Sequence, residues 1–253
     1  MEVLVRLRTA SRQIDFGVAT TAAECAATLA QRFRVYQRRG YYRPGLTADR
    51  DEYDEKSVYI LAMLRGGERA DVMVGSARMV QGEAGFRYPA QVAMQFELPD
   101  AIRAIPVREC IEVGRVVSER PEGIVLGGVV TPLGLIQAVS EYSQRRGLRC
   151  GMAILKRRFL RALLAAGVCL REIAPATVIY PLDGVAASYF YRHAEPVVPV
   201  YWLCDEIVPS IERAIARYVD GRSPASARPG ESTRNDNEGA TGSQREPSPR
   251  WST

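Results

Sequence analysis

The residues of this chain that are able to do chemistry are carboxylates and arginines gathered in short strings. Only one histidine, His193, occurs among the 253 residues, so mechanisms that need two histidines are excluded, including paired-histidine zinc sites. No G-x-S-x-G elbow accompanies His193, which argues against a Ser-His-Asp triad. We therefore expect catalysis by carboxylates, arginines and backbone dipoles, with no metal. The strings are RFRVY at Arg32–Tyr36, DEYDEKSVY at Asp51–Tyr59, GSARMV at Gly75–Val80 and IEVGRVV at Ile111–Val117.

In this order and spacing, the four strings resemble the signature of the acyl-homoserine-lactone synthases (autoinducer synthases) and the related N-acyl amino acid synthases. The resemblance covers roughly residues 15–205. It implies a GNAT-like α/β (α+β) fold with a mixed, mostly antiparallel central sheet flanked by helices. It also implies an N-acyltransferase that moves a fatty acyl chain from acyl carrier protein to the α-amine of an amino acid. The alternative is a lactone synthase that uses S-adenosylmethionine as its acceptor.

Carried over position by position, the resemblance assigns candidate site residues. Glu112 is the expected general base, which would take a proton from the attacking amine directly or through a water. Arg78 and Arg115 complete the predicted catalytic set. Because Glu112 and Arg115 are three residues apart on a strand, a bulge is needed to re-aim them toward one site. The predicted acceptor-binding residues are Arg32, Tyr36, Tyr41, Tyr42, Asp51 and Asp54.

The same residues allow a second interpretation. A D-x-x-D loop beside two arginines is also compatible with a purely structural ion-pair network, and the tyrosines with the edge of a core. Lactone synthases place a tryptophan after the first helix, where this chain has Gly40-Tyr41-Tyr42. This departure weakens the case for S-adenosylmethionine and is compatible with a free amino acid.

The expected donor is an acyl-phosphopantetheine thioester on acyl carrier protein, with acyl-coenzyme A as the alternative and no tightly bound cofactor. Many GNAT enzymes bind the cofactor pyrophosphate with a [Q/R]-x-x-G-x-[G/A] loop at a helix N-terminus. The string RPEGIV at residues 120–125 matches only the first half of that loop, which favours the single phosphate of a carrier protein. The predicted donor-binding residues are Val116, Val117, Arg120, Gly123 and Val125. The apolar residues around Val125, Leu126 and Leu133–Ile136 are compatible with an acyl channel or with ordinary core packing.

A group of basic residues is the predicted docking surface for the acidic carrier protein, and is also compatible with a solvated helix face. The formal charge of +5 suggests an anionic partner. No helix-turn-helix, zinc or aromatic-basic motif supports nucleic acid as that partner, and we do not expect it. The predicted docking residues are Arg145, Arg146, Arg149, Lys156, Arg157, Arg158 and Arg161.

These residues must be positioned by alternating strands and helices. Alternating or continuous apolar patterns predict strands at residues 13–19, 58–64, 71–80, 110–117, 150–155, near 170–174 and at 197–204. A capping box formed by Thr21 and Glu24 predicts a helix that ends near Gly40. Further helices are predicted at residues 129–147 and 156–166, and a glycine-bearing loop at 119–128.

The composition predicts one domain over residues 1–220 and a disordered tail over 221–253. The tail is rich in Ser, Pro, Gly and charge, whereas the whole chain is 47% hydrophobic and can bury a core. The five cysteines are scattered and are expected to be reduced and mostly buried. The N-terminus has no stretch that suits a signal peptide or membrane span, so a cytoplasmic location is expected.

Overall fold

The computed structural model describes residues 1–8, 12–66, 70–119, 129–192 and 194–219. Ten strands and seven helices occur within these ranges, and none of the helices is long and apolar enough to cross a bilayer. The predicted tail (221–253) and most of the predicted glycine-bearing loop (120–128) lie outside the described residues, so the domain boundary stays a prediction. The strands are β1 (Glu2–Arg8), β2 (Gln13–Val18), β3 (Ser57–Leu64), β4 (Val72–Gln81), β5 (Met94–Phe96), β6 (Cys110–Ser118), β7 (Cys150–Lys156), β8 (Arg171–Glu172), β9 (Ala176–Val178) and β10 (Val197–Leu203). The helices are α1 (Ala22–Arg38), α2 (Pro89–Ala93), α3 (Asp100–Arg103), α4 (Val130–Arg145), α5 (Arg157–Ala165), α6 (Ala187–Tyr191) and α7 (Cys204–Val219).

Eight of the strands form one sheet in the order β1-β2-β3-β4-β6-β7-β10-β8. All neighbours in this sheet pair antiparallel except β6 and β7, which pair parallel. Strands β5 and β9 form a separate two-stranded sheet. The prediction of a GNAT-like α/β fold with a mixed, mostly antiparallel sheet is confirmed.

Helices cover both faces of this sheet. On β4, a Cβ added to Gly75 would lie 2.8 Å from the methyl group of Thr131, at the start of α4. The hydroxyl of the next residue, Ser76, donates instead to Oε1 of Gln31 on α1, at 3.0 Å. Because successive residues of a strand point to opposite faces, α1 and α4 lie on opposite sides of the sheet. The main apolar core includes side chains of α4 and α7 and the fully buried ring of Phe16.

The sequence patterns predicted the strands and helices of the central region well. The capping box before α1 is present: the Thr21 hydroxyl accepts from the Glu24 N–H and the Glu24 carboxylate accepts from the Thr21 N–H, each at 3.2 Å. The predictions missed β1 and α7 altogether, as well as the short elements α2, α3, β5, β9 and α6.

Two irregularities in β6 shape the centre of the sheet. Its parallel pairing with β7 ends at Glu112, opposite Met152, and the two strands separate beyond that point. Its antiparallel pairing with β4 contains a bulge, in which Arg115 and Val116 together oppose the single residue Ala77. Arg115 has a φ of 54°, the left-handed region that non-glycine residues rarely adopt. The bulge expected to re-aim one of the pair Glu112 and Arg115 is therefore present, and it lies at Arg115 itself.

Candidate functional site

A buried ion-pair cluster ties α1 to the loop that precedes β3. Arg32 of α1 is 1% exposed, and its guanidinium donates to both carboxylate oxygens of Asp54, each at 2.8 Å. Its Nε lies 2.5 Å from Oδ2 of Asp49, and the Tyr59 hydroxyl donates to Asp54 at 2.8 Å. Burial raises the pKa of Asp54, but the hydrogen bonds from Arg32 and the guanidinium charge outweigh it and hold that pKa well below its usual range. The cluster fixes the loop in place.

A second layer of charges joins this cluster to the sheet. Arg78 of β4 donates to Asp51 at 2.6 Å and to Asp54 at 3.0 Å. Arg115, at the bulge of β6, donates to Asp51 at 3.2 Å and to the Tyr42 hydroxyl at 3.2 Å. Asp51 is therefore shared by two arginines from neighbouring strands, and the predicted network of Asp51, Asp54, Arg78 and Arg115 is present.

Glu112 is a buried carboxylate without an ion-pair partner among the described residues. It is 5% exposed, and its Oε2 accepts a hydrogen bond from the backbone N–H of Ala90 at 2.8 Å. Burial raises the pKa of Glu112 to about 7, although that hydrogen bond and the charges of Arg78 and Arg115 lower it. A carboxylate with this pKa is suited to accept and return a proton near neutral pH.

A cavity of about 440 Å³ lies between the separated ends of β6 and β7, and we call it the splay cavity. Its walls include residues 113–118 of β6 and residues 154–156 of β7. The charged side chains that line it are mostly cationic, with Glu195 as the single carboxylate among the described residues. The cations are Arg39, Arg115, Lys156 and Arg158.

A second cavity, of about 370 Å³, lies over the Asp51 loop, and we call it the loop cavity. Carboxylates outnumber arginines along its walls, which also carry the aromatic rings of Tyr53, Tyr180 and Phe190. The charged lining residues are Asp49, Asp51, Glu52 and Glu112 with Arg50, Arg78 and Arg115. The splay cavity and the loop cavity share Tyr36, Gly114, Arg115, Ile154 and Tyr189.

A small apolar pocket of about 40 Å³ adjoins the splay cavity. The two share the side chains of Val113, Val116, Leu155 and Phe159. The far side of the pocket is formed by α4, α5 and α7 and by the ring of Trp202.

Lys156 binds to the backbone at Tyr189, a residue in the wall that both cavities share. Its ammonium donates to the carbonyls of Tyr189 and, at 2.8 Å, of Glu195, and lies 4.5 Å from the Tyr189 ring centroid. Burial lowers the pKa of Lys156 to about 8, while the Glu195 carboxylate raises it and Arg192 lowers it further. The Tyr189 ring stacks on Tyr36 with centroids 6.0 Å apart.

The structure brings most of the predicted catalytic and donor-binding residues together. Glu112, Arg78 and Arg115 all line the loop cavity, and Val116 and Val117 line the splay cavity. The remaining predicted donor-binding residues, Arg120, Gly123 and Val125, lie outside the described residues. His193 lies outside them as well.

The structure separates the predicted acceptor-binding residues by position, and their role in binding stays a prediction. Tyr36 and Asp51 line the loop cavity, but Arg32, Asp54 and Tyr42 are buried and line neither cavity. These three residues lie beneath the cavity wall. Arg32 and Asp54 form an ion pair there, and the Tyr42 hydroxyl accepts a hydrogen bond from Arg115, which does line the wall. Tyr41 lines the splay cavity instead, where its hydroxyl donates to Glu195 at 3.3 Å.

The basic residues of the predicted docking surface fall into two groups at opposite ends of β7, and their role in docking stays a prediction. Six strand steps of about 3.3 Å place the two ends about 20 Å apart. At the start of β7 and the end of α4, Arg145 pairs with Glu141 and Arg149 with Glu109. The residues at the splay cavity end are Lys156, Arg157, Arg158 and Arg161, and those at the far end are Arg145, Arg146 and Arg149.

Sequence reasoning missed several residues that build the site. Asp49 pairs with Arg32 and lies 3.7 Å from Arg115. Its position two residues before Asp51 could have identified it from the sequence as part of the site. The backbone N–H of Ala90, which holds Glu112, and the ring of Tyr189 gave no signal, because contacts across the fold bring them to the site.

Comparison of the sequence with descriptions of protein families and with curated proteins finds no match. Solved structures are similar over most of this chain. The acyl-homoserine-lactone synthase LasI matches with a TM-score of 0.52 at 12% identity, over 78% of this chain and 93% of that chain. The chain has the fold of the acyl-homoserine-lactone synthases. MesI, a CoA-dependent acyl-homoserine-lactone synthase, matches with a TM-score of 0.52 at 16% identity, over 80% and 94% of the two chains. TofI, solved in a ternary complex with an inhibitor and MTA, matches with a TM-score of 0.54 at 17% identity, over 84% and 97%.

Proposed function

We propose that the protein is an N-acyltransferase that moves an acyl chain from a phosphopantetheine thioester to the α-amine of an amino acid. One observation carries this proposal: a cationic cavity meets, at Arg115, a cavity of mixed charge that has the buried carboxylate of Glu112 in its wall. The fold shared with acyl-homoserine-lactone synthases supports the same class of reaction.

The splay cavity suits the donor. Its cationic lining is complementary to a phosphate-bearing arm. Beyond Glu112 and Met152, β6 and β7 no longer pair with each other, so an extended pantetheine arm could lie between them and bond to the backbone. The adjoining apolar pocket, at about 40 Å³, offers an apolar surface for the start of the acyl chain. Acyl carrier protein is the donor we propose first, with acyl-coenzyme A as the alternative. Arg157 and Arg158, beside the splay cavity, are the part of the predicted docking surface that we retain.

The loop cavity suits the acceptor, because its carboxylates favour an amine. The amine nitrogen would attack the thioester carbonyl, forming a C–N bond as the C–S bond breaks. An acceptor that binds as an ammonium ion loses two protons from its nitrogen. Glu112 would take one, directly or through a water, and the other would go to the departing thiolate. Arg115, shared by both cavities, holds Asp51 and the bulge in position.

S-adenosylmethionine is a second candidate acceptor. Its sulfonium and amine are both cationic, and carboxylates outnumber arginines in the loop cavity. The aromatic walls formed by Tyr53, Tyr180 and Phe190 also suit an adenine ring.

The test is release of free thiol from long-chain acyl carrier protein and from acyl-coenzyme A, with acceptors supplied one at a time and products identified by mass spectrometry. An N-acyl amino acid would support the proposal and name the acceptor. A lactone formed only with S-adenosylmethionine would replace the acceptor. The proposed function would be contradicted if no pair of donor and acceptor gave more thiol release with the native protein than with the Glu112→Gln variant.

A further inference from the structure

Two arginines in the wall of the splay cavity carry charges that no acidic residue of the described chain neutralises. Arg39, at the end of α1, and Arg158, in the first turn of α5, are exposed and line this cavity. Neither forms an ion pair within the described ranges, whereas neighbouring arginines do. Arg38 pairs with Glu119, and Arg157 pairs with Glu172.

The other charged groups of the splay cavity already have partners. Arg115 donates to Asp51, and the Lys156 ammonium is bound by two backbone carbonyls. The Glu195 carboxylate accepts from the Tyr41 hydroxyl and lies 3.8 Å from Arg192. Among the described lining residues, Arg39 and Arg158 are therefore the cations available to a ligand.

We propose that Arg39 and Arg158 bind the phosphate of the acyl donor at the splay cavity. This inference rests on the proposed function and adds the position and chemistry of one group of the donor. On a carrier protein this phosphate is a diester with one negative charge, whereas the free 4′-phosphopantetheine fragment is a monoester that is close to a dianion at neutral pH. Two planar guanidinium groups match the oxygens of either form with paired hydrogen bonds. The phosphate can belong to phosphopantetheine on a carrier protein or to coenzyme A.

Binding of unacylated donor fragments to the full-length protein separates the phosphate from the rest of the arm. The probes are pantetheine, 4′-phosphopantetheine and coenzyme A, measured by calorimetry. We expect phosphopantetheine to bind at least about tenfold more tightly than pantetheine. In the Arg39→Gln/Arg158→Gln double variant, we expect this ratio to fall to about one while pantetheine affinity stays unchanged. Arg213→Gln, an exposed arginine of α7 outside the cavity, is the matched control and should keep the ratio.

The comparison of phosphopantetheine with coenzyme A distinguishes the two sources of phosphate. Equal affinities for phosphopantetheine and coenzyme A would assign the arginines to the single phosphate of the arm. Tighter binding of coenzyme A, lost in the double variant, would assign them to its nucleotide phosphates. Equal affinities for pantetheine and phosphopantetheine in the native protein would overturn the inference, as would loss of pantetheine binding in the double variant. If acyl transfer still occurs, the proposed function survives that result.

Discussion

At the scale of single residues, the charged network divides into a buried half and a half that faces a cavity. Arg32 and Asp54 are both buried and bonded at two points, whereas Asp51 lines the loop cavity and is shared by Arg78 and Arg115. Asp54 therefore fits the structural interpretation of the D-x-x-D loop, whereas Asp51 is placed where the functional interpretation predicts contact with a substrate.

Replacement of Arg32 tests the buried half. Arg32→Met leaves the carboxylates of Asp49 and Asp54 buried without their partner, which we expect to cost about 3–5 kcal/mol in the free energy of unfolding. Urea denaturation measures this loss. The control is Arg38→Met on the same helix, since an exposed pair such as Arg38–Glu119 contributes about 0–1 kcal/mol. Equal stabilities of the two variants would contradict the role assigned to Arg32.

Glu112 gives the reaction a predicted pH dependence. Because burial raises its pKa to about 7, the carboxylate is protonated and unable to act as a base below that pH. We expect kcat/KM to rise with pH through about 7 and then level off. Glu112→Gln should lower the rate about 10²–10⁴-fold and abolish this rise. A native pH profile that is retained in the variant would remove Glu112 from the mechanism.

The same shift predicts the stability of that variant. A folded-state pKa above the unfolded value means that the stability contributed by Glu112 is present below pH 4.5 and is lost as pH rises through about 7. At pH 8 the native protein carries a buried charge that the glutamine lacks. The amide oxygen can still accept from Ala90, so thermal unfolding at pH 8 should show Glu112→Gln at least as stable as the native protein.

At the scale of elements, the bulge in β6 is the feature that makes the site. It turns Arg115 into the positive-φ conformation and brings it to the same cavity as Glu112.

Two substitutions separate the effect of the Arg115 backbone conformation from that of its charge. Arg115→Gly and Arg115→Ala both remove the guanidinium, so both should lose acyl transfer. Only glycine adopts a φ of 54° without strain, so Arg115→Gly should be about 1 kcal/mol more stable to urea than Arg115→Ala. Alanine as the more stable variant would contradict the bulge.

The elements also show how far sequence patterns reach. The capping box, β3, β4 and β6 were predicted because each has a local periodicity or cap. Helix α7 was missed although Ile207, Ile211, Ala214 and Ile215 follow helical spacing, because Pro209 and its direct junction with β10 obscured its start. The position of Ala90 against Glu112 and the separation of the basic residues along β7 depend on tertiary packing, which no local pattern encodes.

At the scale of the whole molecule, the apolar pocket connects the splay cavity to the core between α4, α5 and α7. Ile136 of α4 lines it and is half-buried. We expect Ile136→Phe to shift the preference toward shorter acyl chains, because lost room for a methylene changes kcat/KM about 10–200-fold. The ratio of rates with long and short acyl donors measures this shift. Ile136→Leu, which conserves volume, should keep the native ratio, and an unchanged ratio in Ile136→Phe would exclude the pocket as the acyl site.

The joining of two cavities at Arg115 also predicts the order of the reaction. None of the five cysteines lines either cavity, and Ser118, the one serine or threonine among the described lining residues, has no base in contact with its hydroxyl. Among the described lining residues, no cysteine, serine or threonine is therefore paired with a base that would let it carry the acyl group, and we expect both substrates to be bound when transfer occurs. Initial rates measured over a grid of donor and acceptor concentrations should give intersecting reciprocal plots, and intact mass spectrometry with donor alone should show no acyl adduct. Parallel plots with an adduct on the native protein would require a covalent intermediate, and Ser118→Ala would then show whether Ser118 carries it.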